Sequence, residues 1–338
     1  MTRTATAEAP PVDRLQEDFE RAAEAAGGVA ELPLTIAGQT VRVRFAGTRV
    51  ARALSSAFAH LVAREDGPPA LTLHVWDAGT RAHAPNAAGA SYYYEQDGMR
   101  ALHQPASDVL SVLDAGADTG WFWMPDANGL PYWDYTAPFR HLLSWWLDAQ
   151  GLRQVHGGAV GTDEGGVLLV GAGGSGKSTT ALSSLLDDRL RYAGDDYVAV
   201  ESGRAPAVHS LYCSGKVHPQ DLHRLPHLEP AFADGARRDE KAVFYVEQAF
   251  PGRSSAGFPL RAIVVPRVTE RQAARAVPGT RAEALAALAP STIFQLHPPA
   301  RDALAWMAAL VRAVPAFVLE LGRDVETIPA ELLRIIER

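Results

Sequence analysis

A single cysteine, Cys213, stands among 338 residues. One thiol excludes a disulfide framework and any zinc site built on cysteine pairs within the chain, and it fits a reducing, cytoplasmic compartment. Long apolar runs are missing too: none approaches the ~18 residues of a membrane-crossing helix. The opening MTRTATAEAPPVDR has no apolar centre of the signal-peptide kind. Basic charge is short, with 32 lysines and arginines against 39 acids and a formal charge of −7. Such a surface gives neither nucleic acid nor an anionic membrane a general partner, although a local basic patch is compatible with it. No internal repeat is visible.

What is present is ordinary globular material, 47% hydrophobic and 21% charged, in a chain longer than one core usually fills. Asp13 to Ala26 carries Leu15, Phe19, Ala22 and Ala23 at helical spacing and stops at Gly27-Gly28. LPLTIAGQTVRVRF alternates on both sides of Gly38, a hairpin with Arg42 and Arg44 on one face, where they could meet an acidic segment. Helical spacing returns through Leu54, Phe58 and Leu61, and LTLHVW, Leu71 to Trp76, reads as a strand. Ala82 to Tyr135 is rich in turn residues and holds the aromatic run Trp121 to Met124. A strand packing its rings in a core explains that run better than a ligand site does.

Thr136 is placed to cap a helix carrying Leu142, Leu143 and Trp146, with Pro138 in its first turn. Farther on, RAIVVPRV reads as a strand, and Thr280 with Glu283 forms a capping box over a helix to Leu288. A second helix spans Asp302 to Val311 with Leu304, Met307 and Val311 inward, Phe317 to Leu321 is a strand, and Pro329 starts a terminal helix. Residues 1–12 thus read as a disordered leader, 13–136 as a β-rich α+β domain, and 137–338 as an α/β domain.

The α/β part contains VLLVGAGGSGKSTTAL, Val167 to Leu182. Gly171, Ala172, Gly173, Gly174, Ser175, Gly176, Lys177 and Ser178 fit G-x-x-x-x-G-K-[ST] without exception, and Thr179 follows them. Four apolar residues supply a strand before the loop and TTALSSLL a helix after it, the setting in which this pattern cradles phosphate. Glycines let successive backbone N–H groups turn towards one point, and the helix N-terminus adds partial positive charge there. Lys177 then reaches the β- and γ-phosphates and the Ser178 hydroxyl ligates Mg²⁺, so ATP and Mg are the expected cofactors. A glycine turn that holds no ligand is the plainer alternative.

LRYAGDDYVAV sets Asp195 and Asp196 among apolar residues soon after that loop. A helix of ~10 residues spans ~15 Å, enough for a right-handed crossover to return the next strand parallel to the first. Its C-terminal end would then lie beside the loop. One carboxylate there can help hold Mg²⁺ and the other can accept the proton of an attacking hydroxyl. The plainer alternative is a solvated strand end, against which stands the cost of burying two charges between Tyr192 and Tyr197.

Together VHGGAV, GGVLLVGAGGSGKSTTAL and RYAGDDYVAV, within Val155 to Val200, resemble the nucleotide-binding core of the HPr kinase/phosphorylase family. The resemblance is greatest to the divergent HPr-kinase-like proteins of bacterial peptide natural-product clusters. It implies a P-loop kinase core related in fold to phosphoenolpyruvate carboxykinase. By that likeness Lys177 acts on phosphates, Ser178 and Asp195 serve the metal, Asp196 is the base, and His156 stands near the active site. The implied activity is transfer of the γ-phosphate of ATP to a hydroxyl, serine first, of a peptide or protein. A small-molecule hydroxyl, or a sensor that hydrolyses ATP slowly or not at all, is the alternative, and homo-oligomerisation stays open.

Two family features lack a counterpart. SLYCSGKVHP stands where a glycine-rich segment with a Mg²⁺-linked glutamate is expected, and the later arginine loop resolves only to the candidates Arg253, Arg261 and Arg267. A reverse, phosphorylase activity and HPr as substrate are therefore not implied. Lys216 and Lys241 could neutralise phosphate charge, with ordinary surface lysines the equal alternative. The histidines of HPQDLHRLPH lack zinc-site spacing, so no structural metal is expected.

Overall fold

The structure, a computed structural model, describes residues 9–64, 67–77, 92–232, 240–295 and 302–338. The leader expected over 1–12 lies outside the described residues as far as position 8, and so does 82–91 of the turn-rich stretch. The fold is mixed α/β, with many strands in several sheets. No helix among the described residues is long and apolar enough to cross a membrane. Two compact units divide the chain: one takes it up to Ala57 and again over Leu61–Gln150, the other takes Phe58–His60 and Gly151–Arg338.

The first unit opens with α1 (Val12–Ala25), β1 (Val29–Ile36), β2 (Gln39–Ala46) and α2 (Thr48–Leu54), the last running on as 3₁₀ turns. After β3 (Leu71–Asp77) come β4 (Tyr92–Gln96), β5 (Met99–Gln104), β6 (Val109–Asp114) and β7 (Thr119–Met124), then the single turn α3 (Tyr132–Tyr135) and α4 (Arg140–Ala149). The strands form one sheet in the order β1-β2-β3-β7-β6-β5-β4. Alternation along β7 sends Trp121 and Trp123 into the cluster under α1, with Leu15, Phe19 and Trp76. Phe122 points to the other face, edge-on to Phe139.

Three expectations change here. Thr136 does not cap α4: its hydroxyl donates back to Tyr132 O, 2.6 Å away in α3, and Phe139 at φ 60° precedes the helix instead. The apolar face of α4 packs on β6 of the first unit, so α4 belongs there and that unit runs to Gln150 rather than to 136. Arg44 is already satisfied, paired with Glu31 at 3.1 Å and lying 5.7 Å from the Phe19 ring, so the hairpin face is no waiting cation pair.

In the second unit β8 (Leu152–His156), β9 (Gly158–Thr162) and β10 (Gly165–Leu169) lead through a glycine loop into α5 (Lys177–Ser183). Next come β11 (Arg191–Gly194), β12 (Tyr197–Glu201), β13 (Ala207–Ser210), β14 (Ser214–Val217), β15 (Ala242–Tyr245), α6 (Val246–Ala249) and the long β16 (Gly257–Val268). The chain ends through β17 (Arg275–Pro278), α7 (Arg281–Gln295), α8 (Ala303–Ala313), β18 (Ala316–Leu321) and α9 (Ile328–Ile336). The main sheet runs β11-β9-β10-β16-β13-β12-β8, with β18 on the parallel flank of β16 and β17 beyond it.

Both faces of this sheet are covered, which is why VLLV is apolar without alternation. Val167 and Leu169 join Leu182 of α5 and Leu332 of α9 on one side. Leu168 and Val170 join Leu288 of α7 and Met307 of α8 on the other. The capping box at Thr280 and Glu283 forms as its residues dictate, and α7 runs on past Leu288 to Gln295. Leu304 is not inward as its spacing suggested: it is exposed, while Met307 and Val311 are buried.

Candidate functional site

Between Val170 and Lys177 the chain folds over the end of β10, and three glycines take φ values few other residues tolerate: 155° at Gly171, 79° at Gly174 and 100° at Gly176. A side chain on Gly176 would also run into Leu321. Ala172, Gly173 and Gly174 are exposed at the crest, and Ser175, Ser178 and Thr179 are half-buried. Lys177, the first residue of α5, is buried and turns back over the loop, donating to Gly171 O at 2.7 Å and Ala172 O at 3.2 Å. Those two bonds use two of its three ammonium protons.

The acid pair reaches the same end of the sheet by a break shared between neighbouring strands. Strand β9 pairs with β11 and β8 pairs with β12, so Ala159 faces Gly194 and His156 faces Tyr197. Between those two pairings Gly157 on one chain and Asp195 and Asp196 on the other lie outside the strands. Space there is tight: a Cβ on Gly157 would lie 2.7 Å from Leu169 O, and one on Gly158 would lie 3.0 Å from Gly194 O and 3.2 Å from Asp195 Cα. Gly158, paired with Leu169 at the end of β10, thus brings Asp195 close to that end of the sheet. Strand β11 does run in the direction of β10, as the crossover argument requires, but β9 lies between them. The hairpin to β9 and the parallel partner β16 already occupy both edges of β10, so the crossover must land one strand farther out.

The two aspartates have different surroundings. Asp195 is 2% exposed; its Oδ2 accepts the Lys216 backbone N–H at 3.3 Å, and its Oδ1 is buried with no partner. The Asp196 side chain keeps 30% exposure, with Oδ1 2.9 Å from His156 Nε2 and Oδ2 against the Lys216 ammonium. Burial, opposed by Lys216 and reinforced by Asp196, raises the Asp195 carboxyl above the ordinary carboxylate range. Burial also works against ionised Asp196, yet Lys216 and His156 overcome it and hold that carboxyl well below the ordinary range. Lys216 loses by burial but gains more from Asp196 and Asp195, so its ammonium is raised. Burial lowers Lys177, with Asp196 and Asp195 opposing.

The structure thus brings together the loop, Lys177, Asp195, Asp196 and His156, and adds Lys216 on β14, which the sequence had left level with a surface lysine. A signal for it existed. The chain has only three lysines, 177, 216 and 241, among its 32 basic residues, and all three act electrostatically on the acid pair or on one another. In a chain whose other basic residues are arginine, a lysine supplies a compact point charge that arginine does not. None of the three arginine candidates pairs with the acids. Arg253 caps the carbonyls of Ser184, Asp187 and Leu190, Arg261 binds Glu164 O, and Arg267 pairs with Glu283. No protein-family model matches the chain, and no curated protein matches it.

Proposed function

We propose that the chain is an ATP- and Mg²⁺-dependent kinase with a P-loop core of the HPr kinase type, transferring the γ-phosphate to a hydroxyl, serine first, of a peptide or protein. The observation that carries this reading is the gathering of the glycine-loop lysine, a pair of aspartates in opposed environments, and the other two lysines within electrostatic reach of one another. Phosphoryl transfer needs little covalent help and much positioned charge, and this is a site of positioned charge.

The loop N–H groups and the remaining proton of Lys177 would bind the phosphates of ATP. A hard cation suits the oxygens on offer: the Ser178 hydroxyl, and Asp195, whose Oδ1 is buried and unpartnered. When bound, Mg²⁺ supplies neutralisation of phosphate charge. Asp196, with both oxygens engaged by His156 and Lys216, fits a second role, orienting the acceptor hydroxyl and taking up its proton. A carboxylate held so low is a weak base, but in a loose transition state the nucleophile's proton leaves late and orientation matters more. Exposure agrees, since Asp196 keeps contact with solvent and Asp195 does not.

The same ion pairing favours one second reading, a nucleotide sensor in which Asp196 is a structural anion. Incubation with γ-labelled ATP and peptides encoded beside the gene separates the two. A kinase labels serine in one of them and Lys177→Ala abolishes the labelling. Nucleotide-dependent stabilisation of the wild type with no transfer to any acceptor leaves the sensor. If Lys177→Ala binds nucleotide as the wild type does, the loop is not a phosphate site.

A further inference from the structure

We infer that an open cavity at the start of β18, in the second unit, binds an acidic peptide segment. The cavity is about 550 Å³ and is lined by Arg281 at the start of α7, Arg312 in the last turn of α8 and Arg338 after α9, with Pro278, Pro315 and Phe317 between them. The Arg338 guanidinium lies 5.5 Å from the centre of the Phe317 ring. Among the described residues that line the cavity there is no aspartate or glutamate. Among the described residues none of the three arginines has an ion-pair partner. Elsewhere among the described residues of the same unit Arg153, Arg189, Arg267, Arg271 and Arg334 each have one, while Arg204, Arg224 and Arg275 stand singly without one.

Three guanidinium groups gathered without an acidic side chain between them repel one another, and on a chain of net charge −7 they stand against the charge of the whole. An anion relieves that repulsion, and guanidinium forks match carboxylates two hydrogen bonds at a time. Two features select an extended segment over a small anion. The arginines, Pro278 and Pro315 are all exposed, whereas small-molecule sites enclose roughly 70–90% of their ligand. The exposed Pro278 and Pro315 also give the aliphatic stems of glutamate side chains something to lie on. The inference does not rest on the kinase reading, because the cavity shares no residue with the acid pair or the glycine loop.

The test is a titration of the full chain with a fluorescent hexaglutamate peptide at low salt, with citrate as competitor. The wild type should bind the peptide, and added salt should weaken it. The triple variant Arg281→Glu/Arg312→Glu/Arg338→Glu should bind about tenfold more weakly or worse, each exposed pair counting for up to about fivefold. Its melting temperature should be unchanged; should it not fold, Arg281→Gln and Arg312→Gln carry the test with smaller losses. Failure of the wild type to bind, equal binding by the folded variants, or displacement by citrate below the peptide's own half-saturating concentration would each overturn the inference. The last outcome would make the cavity a small-anion site.

Discussion

Asp196 commits one carboxylate oxygen to His156 and the other to Lys216, so its replacement changes more than proton acceptance. Asp196→Asn should lower phosphoryl transfer by ~10²-fold or more, the usual worth of a positioned base. Mg²⁺·ATP should still stabilise the variant, by ~2.7 kcal/mol at one hundred times Kd, as it does the wild type. The fold, however, should weaken by about 1–3 kcal/mol, because Lys216 is left a buried ammonium beside an amide; the cost of a broken buried pair is discounted here for the partial exposure of Asp196. Denaturant titration of Asp196→Asn, Lys216→Met and the double variant reads the coupling directly. A double variant more stable than Asp196→Asn alone is expected, and strict additivity would show that the two charges do not interact.

The starts of two helices, α5 and α7, each turn on one residue. At the start of α5, Gly176 combines φ 100° with contact against Leu321. Gly176→Ala should therefore destabilise by about 1–3 kcal/mol and weaken nucleotide binding with it, since the residue that strains is the one before Lys177. Thermal unfolding with and without Mg²⁺·ATP measures both. At the start of α7, the Thr280 hydroxyl receives the Glu283 N–H at 3.1 Å while Glu283 accepts from Thr280 N at 2.9 Å. Thr280→Ala should cost about 1 kcal/mol in the same assay and leave nucleotide-induced stabilisation unchanged.

For the molecule as a whole, the acid limb of stability has an identifiable source in the first unit. His74 is 6% exposed, stacked on Trp121 with centroids 6.0 Å apart and edge-on to Phe19 at 4.7 Å. Burial, aided by Arg44 and opposed by Glu20, lowers its pKa from 6.5 to about 4. The unfolded chain therefore binds a proton at this ring between those values while the folded chain does not. Stability is complete above pH 6.5 and falls as the pH drops towards 4, where the folded ring protonates too. The loss is on the order of 3 kcal/mol. His74→Phe keeps the ring packing and removes the proton, so urea titrations of the variant should show a flatter dependence across that window. An unchanged slope would place the acid sensitivity elsewhere.

The local signals in the sequence were sufficient wherever one residue's chemistry decides: the glycine loop and its lysine, the capping box at Thr280, the hairpin turning at Gly38, and the strand Val167 to Val170 that is apolar on both faces. They failed where a competing partner came from farther away. Thr136 looked like a cap until Tyr132 O took its hydroxyl, and the face of Leu142, Leu143 and Trp146 could not say which domain it would cover. Leu304 had the right spacing, but the inward arc of α8 is narrower than spacing alone requires. At the site, the sequence named His156, Asp195 and Asp196, and it ranked the acids only through a resemblance, with no physical ground for the ranking. That ground is tertiary burial, which takes Asp195 out of solvent and leaves Asp196 partly open. The ranking also needs β14, which arrives from twenty residues downstream of Asp196 to set Lys216 against it. Charge and conformational preference belong to the residue and are legible in sequence. Burial and ion pairing belong to pairs of distant residues, and only the folded chain brings those together.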